Sequence, residues 1–373
     1  MKNFILHLKK LDWFLIICPS LLVVIGLFSI YSSSFRNGDF FNFKKQIIFF
    51  AIGFFLMIAI SFLDYRILRN NPYLILFLYF LCLISLTGLF FLAPEIRGVK
   101  SWYKIGAISI DPIEPTKIVL IILLAKYFSM RHIEMYKVWH IIFSGIYVLV
   151  PSILVFLQPD LGSVLILIAA WIGILIVSGI KIRHFLILVL CFVLIFIFSW
   201  SFVLKDYQKA RIISFIIPYD KLGVSWSQEQ AKIAIGSGSL FGKGLKHGSQ
   251  TQYGFLPEPQ TDFIFAAIAE ETGLFGVGIL FILFGALFRR LMKIVLSSQY
   301  NFARLFASGF AVFIFFQLFV NIGMNLGISP IIGLPLPFVS YGGSSLVSVF
   351  LGIGILQSIK IHQMRPMGVD KIS

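Results

Sequence analysis

Two residues of opposite charge lie three positions apart at the start of an apolar run, within residues 111–117. Positions i and i+3 share one face of a helix, so Glu114 and Lys117 are within ion-pair reach of each other. Pro112 and Pro115 favour a helix start here, because proline fits the first turn without loss of a backbone donor. The pair either neutralises itself at a membrane interface or forms the charged wall of a cavity, and we favour the cavity.

A third ionisable residue, Asp262, opens another apolar run within residues 256–263. Thr261 or Asp262 fits a helix N-cap, since the side-chain oxygen of either accepts from a free amide of the first turn. At 100° per residue, four small residues fall within about 40° of Asp262 on the helix: Ala266, Ala269, Gly273 and Gly276. Such a seam admits another helix closely or leaves room for an acyl chain. The seam favours a functional carboxylate over a simple cap.

Other polar residues in apolar runs are explained by packing. Gln317, Asn321 and Asn325 recur at every fourth position, which predicts hydrogen bonds between helices. Asp160 is predicted to cap the helix that begins at the next residue.

Two further features of the sequence predict polar groups that are buried inside the protein and shielded from lipid. Glu270 and Glu271 lie deeper in the run that Asp262 opens, and at least one of them requires a polar partner. Residues 333–345 contain two prolines and a glycine pair, which predicts a broken or re-entrant start to the last helix. Irregular backbone at membrane depth is tolerated only where it is buried in protein or lines a cavity.

The composition places the chain in the membrane. Hydrophobic residues make up 59% of its 373 positions, charged residues 13%, and the mean hydropathy is +0.95. Soluble domains carry roughly 25% charged residues. The net charge of +15 is spread over short loops, so it indicates topology and not nucleic-acid binding. We expect one polytopic domain over residues 1–373 and no nucleic-acid partner.

The predicted fold class is an all-α integral membrane protein of about ten transmembrane helices. A span needs roughly 20 mostly apolar residues. The candidate runs are 13–30, 47–63, 73–92, 115–128, 138–157, 161–180, 185–204, 263–287, 306–326 and 337–359. A long loop, about 205–261, separates the seventh span from the eighth.

The distribution of Lys and Arg predicts the orientation. The two tails and the connections after the second, fourth, sixth and eighth spans carry 16 Lys or Arg, whereas the short connections on the opposite side carry 6. Lys and Arg accumulate on the cytoplasmic side of short loops. Both termini are therefore predicted to be cytoplasmic, and the long loop, Glu114, Lys117 and Asp262 to face outward.

These residues alone leave several function classes open. The sequence contains no Walker motif, dinucleotide fingerprint, Ser-His-Asp grouping or His/Cys metal cluster. A transferase, a flippase or transporter, and a scaffold for a partner enzyme all fit buried ionisable residues and a broken helix. Placement of the polar groups on one face favours the transferase, since a flippase is expected to have polar groups at mid-depth and access from both sides.

Three specific segments resemble the SEDS family (shape, elongation, division, sporulation) of peptidoglycan polymerases: residues 158–162, 256–265 and 333–345. The resemblance extends from about residue 11 to 361 and is strongest to the elongation members. It implies polymerisation of lipid II at the outer face of the bacterial cytoplasmic membrane, for cell elongation and shape, with undecaprenyl pyrophosphate as the leaving group. The alternatives are a flippase of the lipid-linked precursor and the division paralogue.

The resemblance also implies partners and site residues. A class B penicillin-binding protein would supply the transpeptidase, together with other proteins of the elongation complex. The family's essential aspartate corresponds to Asp262, our candidate catalytic base, and its glutamate and lysine correspond to Glu114 and Lys117. An inverting displacement needs a base on the acceptor hydroxyl and charge stabilisation at the leaving group. Lys117 and Arg211 are candidates for holding the pyrophosphate.

The chain departs from the family pattern at one loop. Serine stands at position 101, before Trp102, where the family usually has arginine, so Arg97 or Lys100 is predicted to replace that contact. No cofactor is firmly implied. A divalent cation, Mg²⁺ or Mn²⁺, is one candidate, with Glu114 and Asp262 as its possible ligands.

Overall fold

The computed structural model describes residues 7–35, 38–94, 101–106, 108–131, 138–202, 204, 208–209, 213, 215 and 224–363. Within these ranges the chain forms helices and one short hairpin. The elements are α1 (Phe14–Phe35), α2 (Phe41–Phe62), α3 (Arg66–Asn70), α4 (Pro72–Leu92), β1 (Tyr103–Ile105), β2 (Ile108–Ile110), α5 (Ile113–Ser129), α6 (Val138–Leu157), α7 (Leu161–Val177), α8 (Ile182–Phe202), α9 (Val224–Ser237), α10 (Ser249–Gln252), α11 (Ile264–Ser297), α12 (Asn301–Leu326) and α13 (Gly343–Gln363).

The predicted membrane fold is confirmed. Among the described residues, 8 helices are long and apolar enough to cross a membrane. The other two predicted spans, the fourth and the sixth, correspond to α5 and α7, each 17 residues long. The chain is a multi-pass membrane protein.

Several boundaries differ from the predicted ones for physical reasons. Helix α11 continues to Ser297 and α12 begins at Asn301, so their connection is shorter than expected. The basic residues 289–293 do not end α11, because long cationic side chains are good helix formers and reach water from a helix end. Helix α13 begins only at Gly343, and residues 333–342 before it are irregular yet largely buried, as the two prolines predicted.

Helix α12 is the centre of the bundle. In its most apolar window 78% of residues are buried, against 6% in α8, which has almost all of its surface toward lipid. Small residues allow the close packing: a Cβ at Gly309 would lie 2.6 Å from the Ile174 side chain of α7 and 3.0 Å from that of Ile121 on α5. Helix α12 therefore fixes α5, α7 and α11 relative to one another.

The connecting segments contain structure that the hydropathy pattern did not predict. Strands β1 and β2 form an antiparallel hairpin with Tyr103 opposite Ile110, and Tyr103 Oη donates to the carbonyl of Ser85 on α4 (2.7 Å). In the long loop, α9 packs against α11. Gly238, just after α9, meets the backbone of Ala269, so the long loop packs closely on the small-residue seam beneath Asp262 at this position.

Helix α11 is opened at Gly273, whose φ of 66° and ψ of −164° fall in a region that only glycine readily adopts. The opening frees backbone groups on both sides of the kink, and buried backbone groups need partners. The long loop supplies them through four hydrogen bonds: Lys243 N to Glu270 O (3.0 Å), Gly244 N to Glu271 O (3.0 Å), Leu274 N to Ser239 O (2.9 Å) and Phe275 N to Leu240 O (3.1 Å).

The carboxylates of Glu270 and Glu271 reinforce this junction, which confirms that they have polar partners in the interior. Glu270 accepts from five donors: the amides of Gln250 (2.8 Å) and Thr251 (3.0 Å), the hydroxyls of Thr251 (2.9 Å) and Ser249 (3.3 Å), and Lys243 Nζ (3.1 Å). Glu271 accepts from the Ser32 hydroxyl of α1 and from Lys246 N (3.3 Å). The long loop is thus attached to the bundle through adjacent residues of one helix.

We expect Gly273→Ala to destabilise the protein by roughly 1–3 kcal/mol, because alanine is strained at this φ and ψ. Its Cβ would also meet the carbonyl oxygen of Leu240 at 2.6 Å. The control is Gly285→Ala on the same helix, where nothing lies within 4 Å of an added Cβ. Thermal unfolding of both purified variants checks this. A Gly273→Ala midpoint equal to that of Gly285→Ala would contradict it.

Candidate active site

Asp262 lies immediately before α11 and is half-buried. The residue in the N-cap position of α11 is Phe263, whose side chain makes no capping hydrogen bond. Neither Asp262 nor Thr261 occupies that position. Oδ2 of Asp262 approaches Gly333, where an added Cβ would lie 3.7 Å from it. Gly333 has φ 72°, so this turn of the segment before α13 is suited to glycine.

The backbone around Asp262 is held at three consecutive carbonyls by groups from α12 and from the segment before α13. The carbonyl of Gln260 accepts from Tyr341 N (2.8 Å), that of Thr261 from Ser340 Oγ (2.6 Å), and that of Asp262 from Asn321 Nδ2 (3.1 Å) and Asn325 Nδ2 (3.0 Å). Because all three carbonyls are hydrogen-bonded, the backbone that carries the Asp262 side chain has little freedom to move. Such positioning is what an active-site group requires.

The two asparagines confirm the predicted polar stripe on α12 and connect it to the site. Asn321 Nδ2 also donates to the carbonyl of Leu334 (2.7 Å), and Asn325 Oδ1 accepts from Ala266 N (3.1 Å). Helix α12 thereby joins the start of α11 to the segment before α13. Gln317, the third member of the stripe, is fully buried, and its amide has no hydrogen-bond partner among the described residues.

We expect Asn325→Leu and Gln317→Leu to have opposite effects. Asn325→Leu leaves the Ala266 amide without its acceptor, and a buried polar group without a partner costs roughly 1–3 kcal/mol. Gln317→Leu removes unpaired polar atoms and should be neutral or stabilising. Thermal unfolding of both variants checks this, with a lower midpoint expected only for Asn325→Leu. Equal destabilisation by the two changes would show that the stripe acts only as packing.

Glu114 and Lys117 form the predicted ion pair on the first turns of α5. Lys117 Nζ lies 2.8 Å from Glu114 Oε1, and the two residues are 2% and 6% exposed. Glu114 Oε2 has no partner among the described residues. Desolvation of both charges offsets much of their attraction, so a buried ion pair adds little to the stability of the fold. Its presence here therefore favours a functional role.

Asp111 and Asp160 lie close to this pair. Asp111 Oδ1 accepts from Ile113 N (3.1 Å) and its own amide donates to Ser344 Oγ (2.9 Å), so it holds the start of α5. Asp160 caps α7 as predicted, accepting from Ser163 N (3.0 Å). Burial, and next the nearby carboxylate of Glu114, raise the pKa of Asp111 well above its usual range. Three carboxyl groups, those of Asp111, Glu114 and Asp160, therefore lie near one amine.

The residues before α13 connect the two halves of the site. Gly333 meets the Asp262 carboxylate, while the next residue, Leu334, packs against Gly162 at the start of α7, where an added Cβ would lie 2.7 Å from the Leu334 side chain. Asp160, which caps that helix, contributes to the raised pKa of Asp111 beside the ion pair. The structure thus places Asp262 and the α5 pair at the same end of the bundle, with this segment between them.

Some predicted residues cannot be located and others were not predicted. Arg97, Lys100 and Arg211 lie outside the described residues. Gln46 was missed: its side chain donates to the carbonyl of Ser340 (3.1 Å) and accepts from Gly342 N (3.3 Å). The signal in the sequence was weak, because Gln46 directly follows Lys44 and Lys45 at the start of an apolar run. In the described part of the chain, no group of three or more His, Cys, Asp or Glu could hold a metal ion.

Comparisons with known proteins agree with this geometry. Residues 11–365 match the cell cycle protein family of FtsW, RodA and SpoVE. The peptidoglycan glycosyltransferase MrdB of Escherichia coli K12 is 34% identical over 351 residues, which cover 92% of this chain and 94% of that protein. Stage V sporulation protein E of Bacillus subtilis is 35% identical over 362 residues, covering 93% and 96%.

Solved structures show the same fold. A peptidoglycan synthase complex, in a structure of coordinated polymerisation and crosslinking, contains a chain that matches with a TM-score of 0.80 and 29% identity, covering 95% of this chain and 99% of that one. The rod shape determining protein RodA of Thermus thermophilus matches with a TM-score of 0.71 and 28% identity, covering 95% and 98%. The sequence match over nearly the whole length and the shared helical architecture lead to one conclusion: the chain belongs to the FtsW, RodA and SpoVE family.

Proposed function

We propose that this protein is a peptidoglycan glycosyltransferase that polymerises lipid II at the outer face of the cytoplasmic membrane, for cell elongation and shape. The observation that carries the proposal is the fixed placement of Asp262, whose backbone is held through the carbonyls of residues 260–262. The proposal is supported by relatives named peptidoglycan glycosyltransferase and by the likeness to a chain of a peptidoglycan synthase complex. Under this proposal both termini of the chain lie in the cytoplasm.

The reaction joins the 4-hydroxyl of one lipid-linked sugar to the anomeric carbon of another. The Asp262 carboxylate accepts the hydroxyl proton as the new C–O bond forms, and the bond from the anomeric carbon to the pyrophosphate breaks on the opposite side. Undecaprenyl pyrophosphate leaves with the electron pair. A base at the end of the bundle suits this substrate, because its sugars are in water while its lipid tails remain in the bilayer.

Lys117 is fully buried and bound to Glu114, so we assign it an electrostatic and positioning role. The pyrophosphate contact of Arg211 stays a prediction. A divalent cation also stays a prediction; Glu114 Oε2, a carboxylate oxygen without a hydrogen-bond partner among the described residues, would be one ligand for it. Mg²⁺ is commonly held by one or two carboxylates together with substrate phosphates. When bound, it would neutralise charge on the leaving group.

The proposed partner is a class B penicillin-binding protein, supported by the similarity to a chain from a complex that couples polymerisation to crosslinking. The test is incubation of the purified chain with fluorescent lipid II, with and without that partner, followed by separation of the products by length. Glycan polymers in either arm are expected. Transbilayer movement of lipid II in vesicles without bond formation in both arms would favour the flippase and contradict the proposal.

A further inference from the structure

A second polar cleft lies at the end of the bundle opposite Asp262. It encloses about 590 Å³ between the short helix α3, the last turn of α5 and the first turn of α12. Its lining consists of Arg69, Asn70, Lys126, Ser129, Met130, Gln299, Tyr300, Asn301 and Phe302. These lining residues, all in the described part of the chain, include two cations and no acid. The proposed mechanism makes no use of this cleft.

The two cations are positioned but not neutralised. The Arg69 guanidinium lies 4.3 Å from the centre of the Tyr300 ring, and its Nε donates to Asn70 Oδ1 (3.2 Å). Lys126 Nζ donates to the carbonyl of Arg69. Both side chains are half-buried, and neither forms an ion pair with an acidic residue of the described chain. Two partly desolvated charges held together without a counter-ion favour an anionic ligand.

The start of α12 contributes further donors. Helix α12 has 26 residues, and no side chain caps it at Tyr300, so its first amides are available at the positive end of the helix dipole. Arg304, one turn further along, has a buried Nε without a hydrogen-bond partner among the described residues. Tyr65, whose ring stacks on Phe302 at 6.4 Å, has a buried hydroxyl that also lacks one. The cleft thus combines two cations with the first amides of α12, and the unpaired donors of Tyr65 and Arg304 belong to neighbouring residues outside its lining.

We propose that the cleft between α3, α5 and α12 binds a phosphate-bearing ligand. Phosphate suits it because a helix start supplies directed amides while Arg and Lys supply charge-assisted hydrogen bonds. The phosphate belongs to an anionic phospholipid headgroup of the inner leaflet or to a soluble phosphate compound. Basic pockets between membrane helices are known to bind such headgroups. The site is separate from the proposed catalytic end and does not depend on it.

Binding to the full-length protein in neutral detergent tests this. Dioleoylphosphatidylglycerol is titrated against dioleoylphosphatidylcholine, and inorganic phosphate is titrated separately at constant ionic strength. We expect the Arg69→Gln/Lys126→Gln variant to bind the anionic probe roughly tenfold more weakly or worse. The control, Lys9→Gln/Lys10→Gln, removes the same charge from exposed residues that do not line the cleft, and should change binding less than about twofold.

A third variant keeps both cations and distinguishes weaker binding from a loss of folded protein. Asn301→Asp adds a negative charge at the helix start, which stabilises α12 but repels an anion from the cleft. We expect unfolding at an unchanged or higher temperature together with weaker binding. Binding of phosphatidylglycerol alone identifies a headgroup site, and binding of inorganic phosphate as well identifies a site for soluble phosphates. Equal weakening in the cleft and control variants, or no preference of the unaltered protein for either anionic probe, would overturn the proposal.

Discussion

Purified Asp262→Asn protein is expected to form no glycan polymer from lipid II, with at least a thousandfold loss of rate. The amide cannot accept the proton of the attacking hydroxyl, and general bases contribute about 10²–10⁴-fold to a rate. The fold should be unaffected, because the backbone carbonyl of Asp262 keeps its bonds to Asn321 and Asn325. Lipid II polymerisation measures the first effect and thermal unfolding the second.

The matched control is Asp39→Asn. Asp39 is exposed, precedes α2 and accepts from the amide of Phe41 (2.9 Å), so it undergoes the same chemical change away from the proposed site. We expect it to retain full polymerisation. Polymer yields from Asp262→Asn close to those of Asp39→Asn would remove Asp262 as the base. Loss of folded protein with Asp262→Asn alone would instead assign it a structural role.

Single and double changes at the α5 ion pair should separate its structural role from its functional one. Lys117→Met leaves the Glu114 carboxylate buried without its partner, which costs roughly 3–5 kcal/mol. Glu114→Gln leaves the Lys117 ammonium buried without its charged partner and should be similarly destabilising. Glu114→Gln/Lys117→Met removes both charges, and apolar replacement of a buried pair is often neutral. We therefore expect the double variant to recover most of the stability that either single variant loses.

Activity should not recover with stability. If the pair supplies charge near the leaving group, the folded double variant is expected to polymerise lipid II at least about a hundredfold more slowly. Midpoints of thermal unfolding and rates of polymerisation, measured on the same preparations, separate the two effects. A stable and fully active double variant would show that Glu114 and Lys117 only neutralise each other.

Local properties of the sequence predicted most of the helices and some of their starts. Hydropathy located all ten long helices, because each must bury its own backbone groups and present apolar side chains to lipid. Asp160 was recognised as a cap, and the i, i+3 spacing of Glu114 and Lys117 predicted their ion pair. These features depend on neighbours within one or two turns of the chain, so their geometry can be read from spacing alone.

The tertiary structure decided what surrounds Asp262 and what holds the long loop. The bonds to the carbonyls of residues 260–262 come from α12 and the segment before α13, at least 59 positions along the chain. The opening of α11 at Gly273 is satisfied by a loop whose pairing no periodicity indicates. Sequence by itself determined that this is a many-helix membrane protein with ionisable residues at helix starts. Which of these residues the chain immobilises depended on long-range hydrogen bonds to backbone carbonyls, because the spacing of Asn321 and Asn325 predicts that they bond to another segment but not to which one.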